Sequence, residues 1–217
     1  MDFSPFVQTF AIYALPVLFA ITLHEAAHGY VARLFGDLTA YAQGRISLNP
    51  ARHIDLVGTI VVPVLVLVVS GGKFLFGWAK PVPVNYSALR SPKRDMALVA
   101  LAGPAANLAM ALAWAMLLKL AFSLPYNFFS VPMAEMAKAG IVVNLVFMFL
   151  NLIPILPLDG GRILASLLPG RVAWQYAKLE PWGLPLLLLL LVTNALEYVL
   201  GPLVDRSAAL IRTAVFL

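Results

Sequence analysis

The chain has 217 residues, 62% of them hydrophobic and 12% charged, with a formal net charge of +5 and no cysteine. A soluble domain averages about 25% charged residues, so this composition excludes an ordinary soluble protein and fits a multi-pass membrane protein forming one domain over residues 1–217. Without cysteine, disulfides and thiolate ligands are excluded, and any metal must be held by His, Asp or Glu. The basic residues are scattered between apolar segments. They read as loop charges that set membrane orientation, not as a nucleic-acid surface.

The N-terminal Met1-Asp2-Phe3-Ser4-Pro5 lacks the basic start of a cleavable leader, so the first apolar run is expected to be retained as a span over about 6–34. Pro16 is expected to kink it, and Arg33 marks its far end. Inside it lies His24-Glu25-Ala26-Ala27-His28. On a helix, residues i and i+4 share a face, so His24 and His28 can grip one metal ion, with Glu25 beside them to take a proton from water. Ionisable groups are costly in hydrocarbon and mark function there. His28 precedes Arg33 by about 7–8 Å along a helix, which puts the pair near one membrane face.

Residues 36–55 carry turn signals, among them Gly36-Asp37, Gly44-Arg45 and Asn49-Pro50. A small β-hairpin is expected at Tyr41–Leu48. The apolar run at 56–70 has a central Pro63 and about fourteen residues, short of the roughly 17–25 a span needs, so it is a short or re-entrant segment. Residues 74–84 read as extended and proline-limited. A second span is expected over about 96–122, a loop over 123–138, and a third span from near Ala139. That span breaks up in Asn151…Pro154…Pro157-Leu158-Asp159-Gly160-Gly161. Irregular backbone at membrane depth must be buried in protein or line a wet cavity. A last helix is expected over about 181–200, then an amphipathic tail to Leu217. The catalytic core would thus lie within about 6–165, with the C-terminal helix and tail over 181–217.

If 56–70 dips in and returns, Arg33, Arg45, Arg52, Lys73, Lys80, Arg90, Lys93, Arg94, Arg162, Arg171 and Lys178 share one side. Lys119, Lys138, Arg206 and Arg212 are left for the other. The excess of basic residues then places the N-terminus outside and the histidines toward the cytoplasm. Asp159, three residues from Arg162, falls at the same depth. A catalytic zinc needs three protein ligands and an open position. His53, in a polar loop, and Asp159, an acid among apolar residues, are the candidates for the third. Asp159 is favoured because a buried carboxylate needs a partner.

His24-Glu25-Ala26-Ala27-His28, Gly103-Pro104-Ala105-Ala106-Asn107 and Asn151…Leu158-Asp159-Gly160, in this order, resemble the three-part signature of site-2 proteases, which are intramembrane zinc metalloproteases. The resemblance covers about residues 20–162. Asn49-Pro50…His53 and Phe76–Asn85 are similar to the compact bacterial and archaeal branch, without an inserted PDZ or appended CBS domain. It implies an all-α polytopic fold with a three-helix catalytic core plus further helices. It also implies one zinc ion per chain on His24, His28 and Asp159, Glu25 as general base and then acid, and Asn151 orienting substrate or stabilising the oxyanion. Asn151 as an interhelical hydrogen bonder is the plainer reading. Gly103 is expected to serve close packing, Asn107 to hydrogen-bond near the site, and Asn144 to pack. The implied partners are membrane-protein substrates with a transmembrane segment, and the location a prokaryotic cell membrane. A membrane metal-binding protein or transporter is the alternative. It fits less well because Glu25 stands beside the ligands and no internal repeat is visible.

Overall fold

The computed structural model describes residues 4–62, 65, 77 and 79–215. Helices are labelled in chain order: α1 (Ser4–Leu34), α2 (Thr39–Ala42), α3 (Pro92–Ser123), α4 (Ser130–Leu152), α5 (Asp159–Leu167), α6 (Gly170–Ala177), α7 (Glu180–Val192) and α8 (Ala195–Ala214). Three are long and apolar enough to cross a membrane: Val7–Leu34, Pro92–Ser123 and Ser130–Leu152. Each exceeds the roughly 20 residues that a hydrocarbon core of about 30 Å requires.

These three helices pack against one another, and α5 packs on α3 and α4. The seam between α3 and α4 is lined by small residues, among them Ala111, Ala115, Ala134 and Ala137, with Leu118, Ile141 and Leu145 filling it. Small side chains let helix axes approach where lipid gives no hydrophobic drive. Gly140 is an instance: a Cβ there would run into the Trp114 ring. Both spanning prolines that interrupt a helical ladder, Pro16 in α1 and Pro104 in α3, are fully buried, and both helices continue through them.

The third span begins at Ser130, earlier than the expected Ala139. Asn127 Oδ1 accepts from the Phe129 and Ser130 amides, ordering the turn that leads into the helix. Pro132 sits in the first turn, where a missing N–H costs nothing.

The C-terminal region differs from the expected single helix. α7 has 13 residues, and the chain bends by 79° between it and α8. The break falls at Asn194, whose φ of 57° is left-handed. Asparagine tolerates that conformation better than most residues. What was read as a tail is the regular helix α8, packed on α4 through Val204, Ala208 and Ile211.

The expected β-hairpin at Tyr41–Leu48 does not form, and no strand is present among the described residues. Thr39–Ala42 is a helical turn instead, closed by Arg45 N donating to Ala40 O across Gly44 at φ 61°. The extended run beside it, Lys80–Val84, contains Pro81 and Pro83. Prolines have no N–H, so a regular ladder cannot be built on that edge. The Arg45 side chain takes the place of a strand, donating to the carbonyls of Lys80 and Pro81 at 3.0 and 3.2 Å. Of the apolar run at 56–70, Leu56–Val61 forms a π-helical turn capped by Asp55. Whether the run is re-entrant turns on residues 63–64 and 66–70, which lie outside the described residues.

Candidate metal centre

His24 and His28 lie on one face of α1, with His28 six residues before the helix end at Leu34. That is about 9 Å of rise, so the pair sits near one end of the span. Asp159 is the first residue of α5, where the helix dipole favours a carboxylate. The three residues are buried, 6%, 9% and 8% exposed respectively. The two Nε2 atoms and the Asp159 carboxylate form a compact triangle of metal-facing groups. His24 Nε2 is 3.1 Å from His28 Nε2, 3.2 Å from Asp159 Oδ2, and His28 Nε2 is 3.3 Å from Asp159 Oδ1. A tetrahedral zinc with bonds of about 2.0–2.1 Å separates its ligands by about 3.3 Å.

The protonation of the triangle follows from backbone carbonyls, which can only accept. Gly140 O takes a hydrogen bond from Asn144 Nδ2 at 2.8 Å, so Asn144 Oδ1 must face the other way. It accepts from Asn107 Nδ2 at 3.1 Å, and that same nitrogen donates to Ala20 O at 3.2 Å. Asn107 Oδ1 is thereby turned to His24 Nδ1 at 2.6 Å, and Nδ1 must donate. His28 Nδ1 donates likewise to Val99 O at 2.7 Å. Both Nε2 atoms are then bare lone pairs in the neutral imidazoles. Two lone pairs and a carboxylate facing one another at 3.1–3.3 Å repel unless a cation lies among them. Asp159 Oδ2 is in keeping with this: it is buried and accepts no hydrogen bond from the described residues. The residues present fit a zinc ion.

Gly103 of α3 faces the same triangle. A Cβ there would stand 2.5 Å from His28 Nε2 and 2.6 Å from His24 Nε2. The absent side chain leaves room beside the ligand atoms. Pro104 follows it and lacks the N–H that would bond Ala100 O, so the ladder is interrupted within the turn above Val99, the acceptor for His28.

Glu25 is half-buried, and its Oε2 accepts from the Val82 amide at 2.7 Å. Asn151 lies near the end of α4 and donates through Nδ2 to Phe147 O at 3.0 Å; it makes no hydrogen bond to the metal-facing triangle. His53 is not brought to the site. It is buried in a 3₁₀ turn, with Nε2 on Ser47 O at 2.8 Å. Among the described residues, His24, His28 and Asp159 are the group spaced to share a metal. Asn144, expected to pack, is instead a link in the chain that sets the His24 tautomer. The signal was its type: a fully buried amide in an apolar helix must find partners. Val82 could not be found from sequence, because its contribution is a backbone N–H.

Similarity searches agree with this chemistry. The chain is 38% identical over 196 residues to a Bacillus subtilis protein named "Putative zinc metalloprotease YwhC", covering 89% of this chain and 85% of that one. It is 30% identical over 192 residues to a Mycolicibacterium smegmatis protein named "Putative zinc metalloprotease Rip2", covering 88% and 71%. It is 32% identical over 184 residues to Rip2 of Mycobacterium tuberculosis strain H37Rv, covering 83% and 66%. No family model and no solved structure matches the chain.

Proposed function

The chain belongs to the site-2 protease family of zinc metalloproteases, with YwhC and Rip2, and on that premise we propose that it is an intramembrane endopeptidase that hydrolyses peptide bonds in or near transmembrane segments of other membrane proteins. The observation that carries this reading is the triangle of His24 Nε2, His28 Nε2 and the Asp159 carboxylate, the two nitrogens 3.1 Å apart and 3.2 and 3.3 Å from Oδ2 and Oδ1 respectively, with Glu25 next to the first ligand in the chain. Its burial between apolar helices favours a substrate that reaches it through the membrane.

His24, His28 and Asp159 would hold the zinc. When bound, zinc supplies Lewis acidity toward water and toward the scissile carbonyl. Asn107 and the Val99 carbonyl keep the two rings turned with Nε2 inward. Glu25 accepts the proton of the attacking water and passes it to the leaving amine. Asn151 is assigned to the substrate carbonyl; one N–H of its amide is held by Phe147, and the second is the donor in question. A transmembrane helix hides its carbonyls in its own hydrogen bonds, so the substrate must unwind locally before attack.

The site is assigned to the cytoplasmic side, on the strength of the eleven Lys and Arg residues that flank it when 56–70 returns to the side it left. A cysteine placed at Ser47 should then react with a membrane-impermeant label only after the cell is opened; labelling of intact cells reverses the orientation. The test of activity is Glu25→Gln with a single-span substrate in detergent containing zinc. Turnover should fall by about 10²–10⁴-fold while one zinc per chain is kept. Cleavage at the wild-type rate by Glu25→Gln rejects the mechanism.

A further inference from the structure

Between Lys80 and Val84 the chain reads Lys80-Pro81-Val82-Pro83-Val84. Of the three central residues only Val82 has a backbone N–H, and that N–H donates to Glu25 Oε2 at 2.7 Å. The run is anchored on both sides of this contact. Before it, Lys80 N donates to His53 O at 2.8 Å, and Arg45 holds the Lys80 and Pro81 carbonyls. After it, Asn85 N donates to Asp37 Oδ2 at 2.7 Å. In the middle, Val82 is buried with a methyl against Gly29 of α1, where a Cβ would stand 3.1 Å from Val82 Cγ1.

We propose that Pro81-Val82-Pro83 is a positioning strap for Glu25: the flanking prolines hold the backbone extended and direct its one amide proton to one oxygen of the general base. The inference rests on Glu25 serving as that base. The physical case is one of orientation. A glutamate on a helix has three rotatable bonds, and a carboxylate that must take a proton and return it has to be held in a narrow range of positions. A backbone donor is a stiffer restraint than a side chain. The two prolines have φ near −65° and no competing N–H, which removes alternative registers that would offer Glu25 a different donor. With Oε2 committed to the strap, proton transfer falls to Oε1. Gly29 belongs to the same device, since its missing side chain lets the strap lie close against α1 one turn beyond Glu25. Asp37 and Arg45 hold the ends and act on Glu25 only through the strap.

The test compares three forms of the full-length protein in detergent with zinc: wild type, Val82→Ala and Val82→Pro. Val82→Ala keeps the N–H and reports what the side chain alone contributes. Val82→Pro removes the N–H, between two positions that are already proline. Relative to Val82→Ala, kcat for a single-span substrate should fall by roughly 10- to 100-fold, with KM within about threefold and one zinc per chain retained. If Val82→Pro does not fold, replacing the Pro81–Val82 amide by an ester removes the same proton and keeps the side chain, and should give the same split. Equal kcat in the N–H-deleted form and Val82→Ala overturns the strap, as does a loss confined to KM. Glu25→Gln, run alongside, separates the two failures. If Glu25→Gln is inactive and the Val82 forms are equal, the strap alone is wrong. If Glu25→Gln cleaves normally, the base assignment is wrong and the strap falls with it.

Discussion

In α1, α3 and α4 the helical backbone satisfies itself except where Pro16 and Pro104 interrupt the ladder, and buried polar side chains such as His24, His28, Asn107 and Asn144 bond to one another or to carbonyls that accept a second bond. In the connection between α1 and α3 the reverse holds. Asp37, Arg45, Asn49, Asp55 and Asn85 all bond to main-chain groups, because irregular backbone leaves its own donors and acceptors unpaired. The difference teaches where to look for chemistry. A polar residue in the bundle is surplus to the scaffold and free for a functional role, whereas one in the connection is part of the scaffold. Glu25 is where the two regions meet: a bundle side chain held by a connection amide.

The comparison is broken most severely by substitutions at the triangle. Asp159→Ala and Gly103→Ala should each lower zinc affinity by more than about 100-fold, the first by removing a ligand and the second by driving a methyl onto both Nε2 atoms. Metal analysis of the purified protein after chelator competition measures this. His53→Ala, a histidine of the connection, should keep one zinc per chain. Loss of zinc there, with retention in Asp159→Ala, would make His53 the ligand.

Next in size is Asn107→Ala, which frees His24 Nδ1 and should weaken zinc binding by about 10–100-fold. Asn144→Ala acts one bond further away and should cost less in the same titration. An equal loss at the two positions would mean that the chain acts as one unit.

Asp37→Asn sharpens the other side. Burial opposes the Asp37 charge, but hydrogen bonds from Thr39 and Asn85 outweigh it and hold the carboxyl below its ordinary value. A lowered folded-state value means stability present above the unfolded value of about 3.9 and lost as pH falls through the folded one. The variant should lose about 1–2 kcal/mol of stability at neutral pH, with the gap to wild type closing on acidification toward pH ~3. Unfolding in detergent across that range, with zinc content unchanged at neutral pH, is the measurement. Arg45→Ala should have the smallest effect, under about 1 kcal/mol, because its bonds to the Lys80 and Pro81 carbonyls are exposed. A larger loss would mean the strap is held mainly from that end.

Local order along the chain was enough to indicate the membrane class and three apolar spans, and to favour Asp159 over His53 as the partner of His24 and His28. Apolar runs near 20 residues have few alternatives in lipid, and an i, i+4 histidine pair with an acid in a broken span leaves few other uses for those groups. Helix ends were less legible. The start of α4 follows a turn ordered by the Asn127 side chain, and the 79° bend falls at one left-handed residue, Asn194. The expected hairpin gives way to a helical turn at Thr39–Ala42, because Gly44 in the left-handed region lets Arg45 N close on Ala40 O, a choice the turn signals leave open. Only the tertiary structure decided which way the imidazoles are protonated, why position 103 has no side chain, and which amide holds Glu25. Those are relations between segments as far apart as 87 residues, and a hydrogen bond between distant segments is written in their packing, not in the order of residues along either one.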